Sequence, residues 1–310
     1  MTAKQPQNVE AAIAKLKSIH DGDLGVVHVI ACGKQAIPAL RSMLFEPERS
    51  GLYQARCRAV EALAGLGAYD VLIEFLEADL TIADPIERVG EDAVINAAAL
   101  ALANVREQRV FELLLRLAQR PALTGVIGAL GAFRRVEAIP VLIDALGEDA
   151  SRLTAETALR KLGRPAQAAL LGVATARAPS GERESESSAR RRRSALRLLA
   201  ETGVPRKAWP SLRPLMRDND AKIAMLACEV CFDRAAAAER PKAARYLIEL
   251  LAHQDWVLRE EIESCLVANF DSAREEIAGY LKEIPPRGED TATRKQIEAA
   301  LRRVMARVSA

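Results

Sequence analysis

Apolar positions along this chain recur with helical periodicity, and the helices they predict come in pairs. An Ala-Leu pair closes one helix, a break follows, and a short apolar run opens the next. Ala62-Leu63 leads to Val71-Leu72-Ile73, and Ala101-Leu102 leads to Val110-Phe111. Ala129-Leu130 leads to Ala138-Ile139-Pro140-Val141-Leu142, and Ala158-Leu159 to Ala168-Ala169-Leu170-Leu171. The Ala-Leu pairs lie 39, 28 and 29 residues apart, so the spacing drifts with loop length while the two-helix unit persists. Extended over the chain, the pattern predicts about nine pairs: 8–19 with 22–32, 34–45 with 53–66, 67–78 with 91–104, 107–119 with 121–132, 135–147 with 149–162, 164–177 with 188–202, 205–217 with 219–234, 240–252 with 254–269, and 271–284 with 290–308.

Both ends read as caps on such an array. Val9, Ile13 and Leu16 form a single apolar stripe, as do Ile297, Leu301, Val304 and Val308, which suits helices with a neighbour on one side only. The segment 93–102 is apolar almost all round, as an internal helix requires. Breaks are expected at 46–51, 81–90 and 177–189. The last is rich in Ser and Glu and lacks apolar anchors, which predicts a mobile loop inserted in one continuous array over residues 1–310.

The repeats resemble HEAT repeats, particularly the bacterial kind first described in phycobilisome lyases. The resemblance is carried by Gly33-Lys34-Gln35-Ala36-Ile37-Pro38-Ala39-Leu40, by Glu137-Ala138-Ile139-Pro140-Val141-Leu142, by the Ala-Leu-x-x-Leu-Gly endings and by Asp255-Trp256-Val257-Leu258-Arg259. It implies an all-α, armadillo-like fold, a right-handed α-α superhelix (solenoid), whose second helices line a concave face. It also implies a non-enzymatic scaffold that binds a protein or peptide there. Two alternatives come with the same resemblance: a tetrapyrrole (bilin) lyase or chaperone, and a nucleic-acid-binding protein like the alkylpurine DNA glycosylases. The iron-binding deoxyhypusine hydroxylases share the architecture, but their repeated His-Glu pairs do not occur in this sequence.

Composition narrows the partner. Half of the residues are apolar and only 4% aromatic, which favours helix packing over sandwiches and leaves few rings to hold a bilin or stack on bases. No apolar run reaches the ~18 residues of a membrane span, and the N-terminal residues show no apolar secretory core. Five cysteines, an odd number set within apolar patterns, fit reduced thiols in a cytoplasmic protein. The net charge of +2 hides an asymmetry: residues 1–150 carry 15 Lys and Arg against 20 Asp and Glu, and residues 151–310 carry 29 against 22. Nucleic acid is therefore not the expected partner.

Candidate chemistry is sparse. Catalytic residues, metal ligands and a cofactor are not expected: the three histidines are scattered, and Walker, G-x-S-x-G, H-E-x-x-H and G-x-G-x-x-G motifs are absent. Cys228-x-x-Cys231 has no second pair to complete a zinc site and fits a buried helix face. Gly125, Gly128 and Gly131 share one face of a helix and predict the close approach of a neighbouring helix or of a flat ligand. The run Arg190–Arg193 follows Glu182, Glu184 and Glu186, which can neutralise it. The alternative is a docking stripe in which Arg190, Arg193 and Arg197 join Arg152, Arg160 and Lys161 to hold an acidic or phosphorylated peptide.

Overall fold

The computed structural model describes residues 9–45, 53–78, 82, 84–121, 123–176, 184–283 and 291–309. All regular structure among them is helical. The chain divides into two compact units, Met1–Leu162 and Gly163–Ala310.

The first unit comprises α1 (Val9–Leu16), α2 (Gly22–Cys32), α3 (Ile37–Phe45), α4 (Gln54–Gly65), α5 (Tyr69–Glu77), α6 (Pro85–Ala101), α7 (Gln108–Leu117), α8 (Thr124–Phe133), α9 (Ile139–Ala145) and α10 (Arg152–Leu162). Alternate helices pack on one another: α2 on α4, α4 on α6, α6 on α8 and α8 on α10. In a second layer α3 packs on α5 and α5 on α7, while α9 lies against α8 and α10. Ala62-Leu63, Ala129-Leu130 and Ala158-Leu159 are all buried. Small alanines let the helix backbones approach, and the adjoining leucines fill the space between layers.

The second unit holds α11 (Gln167–Thr175), α12 (Glu186–Thr202), α13 (Trp209–Leu212), α14 (Ala221–Arg234), α15 (Arg240–Leu250), α16 (Trp256–Ala268), α17 (Phe270–Lys282) and α18 (Thr291–Ser309). Here α12, α14, α16 and α18 pack in succession, while α11, α13, α15 and α17 lie against them. On α18, Ile297, Leu301 and Val304 are buried, while Val308 at its end is exposed.

Local signals set the helix ends. Gly67 and Gly163, which complete the Ala-Leu-x-x-Leu-Gly endings, take φ of 70° and 66°, where any side chain is strained. Asp255 caps α16, accepting from the Val257 and Leu258 amides at 2.9 and 3.5 Å. Arg259 completes that motif by donating to the carbonyls of His253 and Gln254 at 2.8 and 3.0 Å.

Two expected breaks are shorter than the sequence pattern indicates. Helix α6 begins at Pro85, inside the break expected at 81–90, because Asp84 accepts from the Ile86 and Glu87 amides at 2.7 and 3.2 Å and Pro85 presets the first turn. Of the loop expected at 177–189, residues 177–183 lie outside the described residues. Helix α12 already begins at Glu186, where Ser185 caps the Ser188 amide at 3.2 Å.

Four buried arginines supply a recurrent device. Arg56 of α4 donates from Nε and Nη2 to the Leu44 carbonyl at the end of α3, at 3.0 and 2.7 Å. Arg58 reaches the carbonyls of Leu16, the last residue of α1, and of Ser18 just past it, at 3.0 and 2.8 Å. Arg192 of α12 donates to Ala174 in α11, and Arg294 of α18 to Tyr280 and Glu283 at the end of α17. The last carbonyls of a helix lack intrahelical donors and carry partial negative charge, so each guanidinium satisfies both needs. Arg56 also forms a bidentate pair with buried Glu91 of α6, at 2.5 and 3.1 Å.

Candidate functional site

The arginine run of α12 is engaged from both ends of its sequence neighbourhood. Arg192 is buried and pairs with Glu184 at 2.7 Å and with Asp218 at 2.5 Å. Arg193 pairs with Glu186 at 3.0 Å and with Asp220 at 2.5 Å. Asp220 also caps α14 through the Lys222 and Ile223 amides, so this ion pair ties α12 to the start of the next helix in its layer. Glu184 and Glu186 thus neutralise the run as their position in the sequence suggests. Asp218 and Asp220, some 25 residues further on, are added by the fold. Arg190 is half-buried, and Arg197 is half-buried on a groove described below.

The other three candidate cations belong to α10, in the first unit. Arg152 contacts Glu156 at 3.4 Å. Arg160 and Lys161 are exposed. Lys161 lines a shallow groove of about 320 Å³ between α8 and α10, together with Gly128, Gly131, Leu153, Thr154, Thr157 and Ala158. The glycine face of α8 explains that shape. A Cβ on Gly125 would lie 2.5 Å from the Asn96 carbonyl oxygen of α6, and one on Gly131 would lie 2.5 Å from the Ala158 Cβ of α10. The neighbouring helices are what approach. Asn96, which interrupts an otherwise apolar stretch, caps α8 by accepting from the Gly125 amide at 2.7 Å.

Cys228 and Cys231 are fully buried in α14, and Cys265 is nearly so in α16. Burial pushes the Cys228 thiol well up, and raises Cys231 and Cys265 to about 12. These thiols stay protonated at neutral pH, which suits core packing and opposes nucleophilic or ligand roles. Among the described residues no group of three or more His, Cys, Asp or Glu side chains is placed to hold a metal ion, and no helix is long and apolar enough to cross a membrane.

A groove of about 570 Å³ runs over α12, α14 and α16. Buried Met225 and Leu226 form an apolar floor, with Cys265 beside them and Ala200, Ser264, Ala268 and Asn269 completing the lining. Val257 stands at one end. Charged groups form the rim: Arg197 and Glu201 from α12, Lys222 and Glu229 from α14, Glu260 and Glu261 from α16. Lys222 pairs with Glu261 across the groove. The Glu229 carboxyl sits above the usual carboxylate range, because burial and the like charges of Glu201 and Glu261 outweigh the attraction of Lys222 and Arg197. Of these rim residues only Arg197 stands out in the sequence. The others carry a subtler signal: Lys222, Met225, Leu226 and Glu229 share one helical face, and so do Val257, Glu261, Ser264 and Ala268.

No family model matches this chain, and no curated protein matches it. Among solved structures it is similar to a crystal structure of an engineered protein, at 17% identity over 96% of this chain and 88% of that chain, with a TM-score of 0.39.

Proposed function

We propose that this chain is a HEAT-like repeat scaffold that acts by binding, not catalysis, and that the α12/α14/α16 groove receives a protein or peptide segment. The packing of alternate helices within each unit supports the repeat reading. The groove carries the functional one: an apolar floor bordered by charged side chains from three helices is the composition of a recognition surface, with area to cover and polar groups to fix register. All five cysteines are free thiols, which supports a reducing, cytoplasmic setting.

A displayed library of random 12-residue peptides, selected on the full chain, tests this reading. Ala268→Trp places an indole in the groove from an exposed position at the end of α16. Peptides that bind the native protein and lose binding to this variant are the expected result. A selected set indifferent to Ala268→Trp removes the groove from the function.

A further inference from the structure

The rim of the α12/α14/α16 groove is unbalanced in sign. Four glutamates line it against two cations; Lys222 pairs with Glu261, and Arg197 and Glu201 are each engaged as well, which leaves Glu229 and Glu260 as the excess. Arg193, one turn before Arg197 on α12, has its guanidinium committed to Asp220 and Glu186. What the groove lacks is positive charge. Glu229 lies on the middle helix of the three, with Lys222 two turns before it on α14, Arg197 and Glu201 contributed by α12, and Glu260, Glu261 and Cys265 by α16.

We infer that the segment bound in this groove is cationic: a Lys- or Arg-bearing peptide that places one positive side chain against Glu229 while apolar side chains cover Val257 and the Met225–Leu226 floor. The inference rests on the groove being a peptide site, and it gives the occupant the opposite charge to the acidic or phosphorylated partner that the arginines of the sequence lead one to expect. An anionic segment would meet a rim with two more carboxylates than cations, and like charges disfavour it.

The same peptide selection decides the sign. Among peptides lost on Ala268→Trp, enrichment in Lys and Arg is expected, with affinity that falls as salt rises from 50 to 200 mM. Glu229→Gln is expected to weaken the best of them about tenfold, the value of one charged hydrogen bond, while the helical melt is retained. Ala268→Trp-sensitive peptides that are neutral or acidic overturn the inference and leave the groove as a binding site. Undiminished affinity in Glu229→Gln overturns the role of that carboxylate. A selected set without Ala268→Trp-sensitive peptides overturns the groove and the inference together.

Discussion

Gly125 and Gly128 lie one turn apart in α8, and substitution to alanine is expected to act in opposite directions. A Cβ at Gly125 would press on the Asn96 backbone at 2.5 to 2.8 Å, so Gly125→Ala should cost about 1–3 kcal/mol despite its better helix propensity. At Gly128 the nearest atom is the Leu100 Cδ2, 3.3 Å away on a half-exposed side chain free to move. Gly128→Ala should therefore gain about 0.5–1 kcal/mol. Urea unfolding of both variants checks the pair. The glycine face is plain in the sequence, but its partners Asn96, Leu100, Thr154 and Ala158 come from helices 25 to 30 residues away, which periodicity does not specify. The same holds for Arg56. Its removal as Arg56→Ala leaves Glu91 charged and buried, at an expected cost of about 3–5 kcal/mol. The double change Arg56→Met, Glu91→Leu should recover most of it. Equal destabilisation in single and double variants would show that the packing, not the charge pairing, dominates.

Helix ends show where local signals suffice and where they mislead. Gly67 and Gly163 stop their helices as the repeated endings predict, because a positive φ follows from glycine itself. Helix α8 departs from this rule: the residue that caps its C-terminal end is Arg134, held at φ 53° and ψ 35°. Arg134→Gly is expected to stabilise the chain by about 1 kcal/mol, read as a rise in the urea midpoint at unchanged slope. At the start of α6 the signal is present but easily overread. Thr-Ile-Ala-Asp-Pro suggests an irregular stretch, yet Asp84, Pro85 and Glu87 stand at the positions of a cap, a first-turn proline and a first-turn acid. The alternating packing of elements follows from the Ala-Leu spacing because each pair must bury its apolar face on the next. The breaks within pairs obey no such constraint, and there the sequence is least informative.

Across the whole molecule, charge is where sequence and structure diverge most. The basic excess of residues 151–310 draws attention to arginines, but Arg192 and Arg193 are spent within the fold, and the groove of the second unit is bordered mainly by glutamates. Counting charges along a chain cannot tell which are spent. Glu229 gives this a measurable sign. Its carboxyl is harder to ionise in the folded chain than in the unfolded one, so the stability it contributes is complete at acid pH and is lost as pH rises through its raised range. Glu229→Gln should therefore melt at or above the native temperature at pH 7, with the difference vanishing below about pH 4. A variant that melts lower at pH 7 would mean that the ionised carboxylate is stabilised instead. The arginine braces bear on a separate matter, the order in which the chain acquires its structure. Arg58 reaches back 40 and 42 residues to the end of α1, but the other three are short: Arg56 spans 12 residues, Arg192 18 and Arg294 14, each to the helix immediately before its own. Closing such short loops sacrifices little chain entropy, so helix pairs can form at several places without waiting for distant segments. A chain emerging from the ribosome can lock α3 to α4 before α12 has been synthesised.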